Sequence, residues 1–319
     1  MKSGTGNIDM RFEVWKLFVL ATLFSVSMVF VPPLGIVINS FTPFPLIIIY
    51  YLFGRRAGLL ASGAIALLLT LAVGKEFGVL FVVQYALMAF LVGELARRGY
   101  EWNPIMIAGT IVPLLAGGIL LAIYSAGLEH SLITSLQTMV ADNIRSTFKM
   151  YTDMGISFDQ QMMGEKEIAA ISKTMVTIIP AILTVGAIMS VVINALAARY
   201  MVAKRYGATL FRGVDVAFWG VPDSLIWVTI GGGIFMLLSF GVARIIGMNI
   251  LIVMGSLYFL QGISVTVFLF KKWGLHILVK MAIYGIILSQ PIFWVLTILF
   301  GLADIWVDFR KMRGKLGAA

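Results

Sequence analysis

The chain has no cysteine among its 319 residues and only two histidines. Disulfides and thiolate metal sites are therefore excluded, and the redox compartment stays open. His130 and His276 fall beyond the ends of apolar runs with no carboxylate at ligand spacing, so neither a metal site nor a cofactor is expected. Charge is scarce too: 12% of residues are charged, against 60% hydrophobic. No soluble fold keeps that much apolar surface from water, so the chain reads as a polytopic membrane protein. It has no P-loop, no GxSxG elbow and no HExxH pair. Gly231, Gly232 and Gly233 sit inside an apolar run with no preceding strand, which suits close helix packing rather than phosphate binding. No ionisable pair stands at membrane depth, and Asp304 and Asp308 sit beside a basic tail as an interfacial end would. The chain is therefore not expected to be an enzyme.

What is present is a series of apolar runs, most of them near the roughly 20 residues that cross the hydrocarbon. They cover residues 15–30, 44–53, 57–73, 77–96, 104–125, 165–199, 225–243, 249–270 and 277–302. The expected fold is an all-α polytopic transmembrane helical bundle with eight or nine crossings. The first run lacks a small-residue cleavage site and reads as a retained helix. Two blocks are expected, a six-helix module over residues 1–213 and additional helices with a basic tail over residues 214–319.

Residues 31–63 organise the first block. Pro32, Pro33, Pro43 and Pro45 cannot all lie inside one helix, because each removes a donor and crowds the preceding turn. In a bilayer, backbone opened in this way must be buried in protein or line a wet cavity. Asn39, Ser40, Phe41 and Thr42 are therefore expected to face the interior, unless they form an ordinary extramembrane turn. Residues 127–172 are the one long hydrophilic connection. Within them Leu132, Leu136, Met139, Val140, Ile144, Phe148 and Tyr151 recur at helical spacing, which predicts an amphipathic helix on the membrane surface or over the bundle mouth.

The net charge of +9 is concentrated where apolar runs end, which is an orientation signal and not a nucleic-acid footprint. Lys2, Arg11 and Lys16, Arg55 and Arg56, Arg97 and Arg98, Lys204 and Arg205, and Lys271 and Lys272 fall on one side if every helix crosses once. That side, with the N-terminus, is expected to be cytoplasmic. Nine crossings would place the basic C-terminal tail outside, so either Pro291 splits the last stretch into a hairpin or residues 301–313 lie along an interface.

Polar residues at membrane depth mark either interhelical hydrogen bonds or ligand contacts. Gln84, Asn194, Gln261 and Gln290 are of this kind. Asn39, Ser40, Thr42, Gln84 and Tyr124 are expected to fall together in the outer half of one bundle, as candidate ligand contacts. Small-residue faces, Gly58, Ser62 and Ala66 on one helix, Gly186 and Ser190 on another, and Ala21 and Ser25 on the first, could receive an internal neighbour or a partner protein. Glu94 with Arg97 and Arg98 at i+3 and i+4 reads as an interfacial ion pair.

Residues 17–205 resemble the substrate-binding S components of energy-coupling-factor (ECF) vitamin transporters. The likeness lies in a first helix broken at prolines, a second closing with LFGRRAGLLASG, a fourth ending in ALMAFLVGELARRG, and an outward loop before helix six. In that family the first outer loop and helices four to six hold a vitamin, while small residues on helix one dock the coupling subunit. The resemblance implies that Asn39, Ser40 and Thr42 are loop contacts, Gln84 is a helix-four contact, and Ala21 and Ser25 are a docking face. Over nearly its whole length the chain also resembles the YybS-like family of uncharacterised bacterial membrane proteins, similar to S components with added C-terminal helices. NILIVMGSLYFLQGISV (249–265) and GLADIWVDFRK (301–311) carry that likeness. The second block and the partial small-residue face on helix one depart from transporter S components.

Two functions are thus open. One is a solute-binding subunit of the bacterial inner membrane that depends on a protein partner for energy. The other is a ligand-free scaffold or assembly factor for envelope machinery.

Overall fold

The computed structural model describes residues 10–31, 34–127, 131–155, 164–211, 215–238 and 241–310. Lys2, Pro32, Pro33, His130, Arg212, part of the 127–172 segment and the basic tail from residue 311 lie outside them. Among the described residues every regular element is helical. The chain forms two compact units, Met1–Ala126 with Gly186–Val214, and Gly127–Val185 with Asp215–Ala319. Their second break falls beside the expected boundary at residue 213, whereas residues 127–185 group with the C-terminal helices.

In the first unit, α1 (Met10–Phe30) turns into α2 (Leu34–Asn39), and a short break leads to α3 (Pro43–Ile48). Close approach makes this hairpin possible: a Cβ on Gly35 would collide with the backbone of Ser27 and Met28. A π-helical turn, Ile49–Phe53, then leads to α4 (Gly54–Ala72). The chain reverses there. Gly54 has φ +88°, and the Tyr50 hydroxyl lies 3.2 Å from that of Ser62. Residues twelve apart on a straight helix are separated by about 18 Å, so these two stand on antiparallel arms. Gly58 receives the Tyr50 ring where any side chain would clash.

After α4 come α5 (Lys75–Phe81), a second π-helical turn (Val82–Ala86), α6 (Leu87–Arg97) and α7 (Trp102–Ser125). Gly93 packs on the backbone at Ile47 and Tyr51, and Gly109 packs against Val92 and Val191. The last of these lies on α9 (Glu165–Tyr206). One end of this unit holds a buried charged cluster. Buried Glu13 accepts from Lys16 and Arg205 at 3.0 Å each and from the Tyr206 hydroxyl at 2.9 Å. At the same end the Tyr51 hydroxyl donates to the Thr209 carbonyl at 2.8 Å, and the Trp102 and Phe211 rings meet edge-on at 5.0 Å.

The second unit opens with α8 (Leu132–Asp153), capped by the Ser131 hydroxyl. Of the expected apolar stripe, Leu132, Leu136, Val140, Ile144 and Phe148 are half-buried, and Met139 and Tyr151 are exposed. Arg145 pairs with Glu165 and Asp142, and hydrogen bonds to these carboxylates, Glu165 foremost, raise the guanidinium's pKa above its ordinary value. The unit's other helices are α10 (Leu225–Leu237), α11 (Gly241–Lys272), α12 (Ile277–Ser289) and α13 (Pro291–Val307). Backbone contact brings α13 onto α11, with Gly262 against Thr297 and Gly301 against Tyr258. Val221, Met254, Tyr258 and Ile305 form the core beside this crossing.

Among the described residues, six helical stretches are long and apolar enough to cross a membrane, or seven with a bent pair counted as one. The expectation of eight or nine is corrected in two places. Residues 34–72 pass by length as one apolar stretch, but the reversal at Gly54 keeps the expected runs 44–53 and 57–73 apart. The run from 225 forms a helix of 13 residues, shorter than the hydrocarbon requires. The final run breaks at Gln290, where the axes of α12 and α13 diverge by 108°. Pro291 occupies the first turn of α13 and holds Gln290 extended, so one straight helix is impossible.

Gly54→Ala is expected to lower stability by about 1–3 kcal/mol, because alanine is strained at this φ and its methyl would meet the Arg97 guanidinium. Thermal unfolding in detergent checks this. Gly63→Ala, where the space is open, is expected to leave the midpoint unchanged or slightly raised.

Candidate functional site

The break between α2 and α3 opens one helical hydrogen bond, that of the Phe44 N–H to the Ser40 carbonyl. Asn194 of α9 fills it. Its Oδ1 accepts from the Phe44 N–H at 2.9 Å, and its Nδ2 donates to the Ser40 carbonyl at 2.8 Å. The same Nδ2 donates to the Ser190 carbonyl one turn earlier, which holds the side chain in place. Asn194 is fully buried. It precedes Arg205 of the charged end by eleven residues, about 16 Å of helix rise, which is about half the roughly 30 Å thickness of a bilayer's hydrocarbon.

The second unit repeats this arrangement. Pro180 lies inside α9, where its missing N–H and its ring open the helix. Asn249 of α11 fills the gap, accepting from the Ala181 N–H at 2.9 Å and donating to the Thr177 carbonyl at 2.8 Å. It too donates to the carbonyl one turn before it, that of Ile245. In both places a carboxamide from a neighbouring helix replaces one i→i−4 bond, supplying the missing donor and acceptor together.

Of the expected ligand contacts, Asn39 and Thr42 come together. Asn39 is half-buried, and its Oδ1 accepts from the Thr42 hydroxyl at 3.1 Å. Its Nδ2 donates to the Tyr85 hydroxyl at 3.2 Å. Ser40 contributes its carbonyl to the clasp, while its hydroxyl turns back to the Val37 carbonyl. Gln84 is exposed and does not join the group. It stands in the π-helical turn Val82–Ala86, whose extra residue rotates the helix face and presents Tyr85 instead. Tyr124, near the end of α7, is 65% exposed and does not join either.

The small residues expected to dock a partner are mostly used within the first unit. Ala21 and Ser25 are buried, Gly58 lies under the Tyr50 ring, Ser62 bonds the Tyr50 hydroxyl, and Ala66 is half-buried opposite Gly78.

A buried ion pair in the second unit was missed by sequence reasoning. Asp304 and Arg310 are 6% and 5% exposed. Arg310 donates to Asp304 Oδ2 through Nε at 3.1 Å and Nη2 at 2.5 Å, and its Nη1 reaches the Trp219 carbonyl. The Gln261 Nε2 donates to Asp304 Oδ2 at 3.2 Å, and its Oε1 accepts from the Val221 N–H at 3.0 Å. Arg310 reads as the first residue of a basic tail, so only the spacing of Asp304 and Arg310 across the end of α13 could have signalled the pair. Asn249 and Tyr85 were missed as well. An asparagine in an apolar run 69 positions after Pro180 gives no local sign of its partner.

A family model described as "Predicted membrane protein (DUF2232)" matches residues 19–305. The chain belongs to this family. The match spans both units and every polar group described above except Glu13, Lys16 and Arg310. No curated protein and no solved structure matches the chain.

Asn194→Leu is expected to strand the Ser40 carbonyl and to leave the Phe44 N–H only its 3.2 Å bond to the Phe41 carbonyl, lowering stability by about 1–3 kcal/mol. Asn249→Leu is expected to act similarly at Pro180, while Gln84→Leu shifts unfolding by less than about 0.5 kcal/mol. Thermal melts of the three variants in one detergent test the difference. In a second series, Arg310→Ala should cost about 3–5 kcal/mol by leaving the Asp304 carboxylate buried alone. Adding Asp304→Asn should recover part of that loss, and a double-mutant cycle measures how much.

Proposed function

We propose that this protein is a solute-binding subunit of the bacterial cytoplasmic membrane, of S-component type, which binds a small polar molecule beside the break in its second span. The observation that carries this reading is the group of half-buried Asn39 and Tyr85 with buried Thr42, next to non-helical backbone about half a bilayer's thickness from the charged end. Discontinuous helices at that depth are where membrane transporters place substrate contacts, because backbone and side-chain polar groups converge there without water. Asn39 and Tyr85 offer an amide and a phenol, which suit hydroxyl, carbonyl or amide groups of a neutral solute. The likeness of residues 17–205 to transporter S components points the same way.

Conversion of a binding subunit into a transporter requires an energy-coupling partner, which this reading includes. The protein itself is proposed to be non-catalytic. Its orientation follows the concentration of Lys16, Arg97, Arg98 and Arg205 at one end of the first unit, which the positive-inside rule assigns to the cytoplasm together with the N-terminus. The scaffold alternative relied on small-residue faces as docking surfaces, and burial of Ala21, Ser25, Gly58 and Ser62 within the unit leaves it less support.

Native mass spectrometry of protein purified gently from its own host tests the proposal. The expected result is a stoichiometric small molecule that is lost in Asn39→Leu and reduced in Tyr85→Phe, with unfolding temperature retained in the latter. A clean apo mass accompanied by a co-purifying protein would instead favour the scaffold.

A further inference from the structure

At the charged end of the first unit lies a cleft of about 490 Å³ lined by Tyr51, Arg97, Gly99, Tyr100 and Thr209. Three segments form it: the turn before Gly54, the end of α6 with the residues after it, and the chain following α9. The Tyr51 hydroxyl ties two of these together through the Thr209 carbonyl. Adjacent arginines differ here. Arg98 is paired with Glu94 at 3.0 Å, whereas Arg97 has no carboxylate within ion-pair reach among the described residues.

Arg97 is nonetheless held in place. Its guanidinium rests over Gly54, with Nη1 2.9 Å from where a Cβ would stand. Gly54 also opens α4, so the positive dipole end of that helix starts beside the guanidinium. A planar guanidinium with no partner suits a phosphate, which it binds through two parallel hydrogen bonds. Two tyrosines line the same cleft, and tyrosine, like tryptophan, is enriched at headgroup level.

We infer that this cleft binds the phosphate of an anionic phospholipid headgroup, with Arg97 as the principal contact and Tyr51 and Tyr100 as its walls. A lipid source fits the position, since the cleft opens where apolar helices end in arginine, and basic clefts at such ends receive anionic headgroups. The inference rests on membrane insertion alone and is independent of the solute reading.

The test is native mass spectrometry of the full-length protein, delipidated in detergent and titrated with phosphatidylglycerol, with phosphatidylcholine and inorganic phosphate as separate probes. Phosphatidylglycerol is expected to bind with one saturable site, and Arg97→Gln is expected to weaken that site about tenfold. Arg56→Gln, which removes equal charge from a residue that does not line the cleft, is expected to leave it. Arg97→Lys should restore only part of the affinity. Since Arg97 is exposed and unpaired, unchanged melting of Arg97→Gln verifies folding. Equal weakening by Arg56→Gln would overturn the site in favour of diffuse charge attraction. Displacement of the lipid by inorganic phosphate at comparable concentration would overturn the lipid assignment in favour of a soluble phosphate.

Discussion

An open backbone hydrogen bond in an apolar medium must be closed by protein, because lipid offers neither donor nor acceptor. This constraint shapes both units. Prolines break α2–α3 and α9, and each break leaves one N–H and one carbonyl four residues apart without each other. Asparagine is suited to the gap. Its carboxamide carries an acceptor and a two-proton donor on one short planar group, so Asn194 closes Ser40 and Phe44 while also bonding its own helix. Asn249 does the same for Thr177 and Ala181. A leucine at either position would pack but would leave the carbonyl without its donor and the N–H without its side-chain acceptor.

The first clasp also determines where the candidate site can be. With the break anchored on α9, Asn39 and Thr42 stand on its flank, and the π-helical turn Val82–Ala86 brings the Tyr85 hydroxyl to Asn39. The break therefore both costs helical bonding and supplies this polar group. In the second unit the Pro180 break has a different setting, and the buried polarity lies instead at the end of α13, where Asp304, Arg310 and Gln261 satisfy one another.

Charge is handled by the same logic. Glu13 is buried, yet it accepts from Lys16, Arg205 and Tyr206. Asp304 has Arg310 and Gln261. Arg98 has Glu94. Against these matched groups, Arg97 stands apart as a fixed but unpaired cation beside a glycine that no other residue could replace without strain. That contrast sets Arg97 apart from Lys16, Arg98 and Arg205, which are paired at the same end of the unit.

The apolar runs, the proline break before α3, the amphipathic α8 and the interhelical role of Asn194 were legible in the sequence, because hydrophobicity, a missing N–H and helical periodicity are local properties. Two of the three residues in the candidate group were expected from the sequence: Asn39 and Thr42 lie within the proline-flanked turn itself. Gln84 was the natural choice for the rest, since it is the polar residue in its run, but one extra residue in a helical turn is invisible to periodicity and turns Tyr85 inward. The partner of each break was equally hidden. Asn194 lies 150 residues from Phe44, and Asn249 lies 68 from Ala181. By itself the sequence determined that the chain is an all-helical membrane protein and where its helices must break. Only the tertiary structure decided which side chain closes each break and which arginine is buried, because these depend on which helices lie side by side.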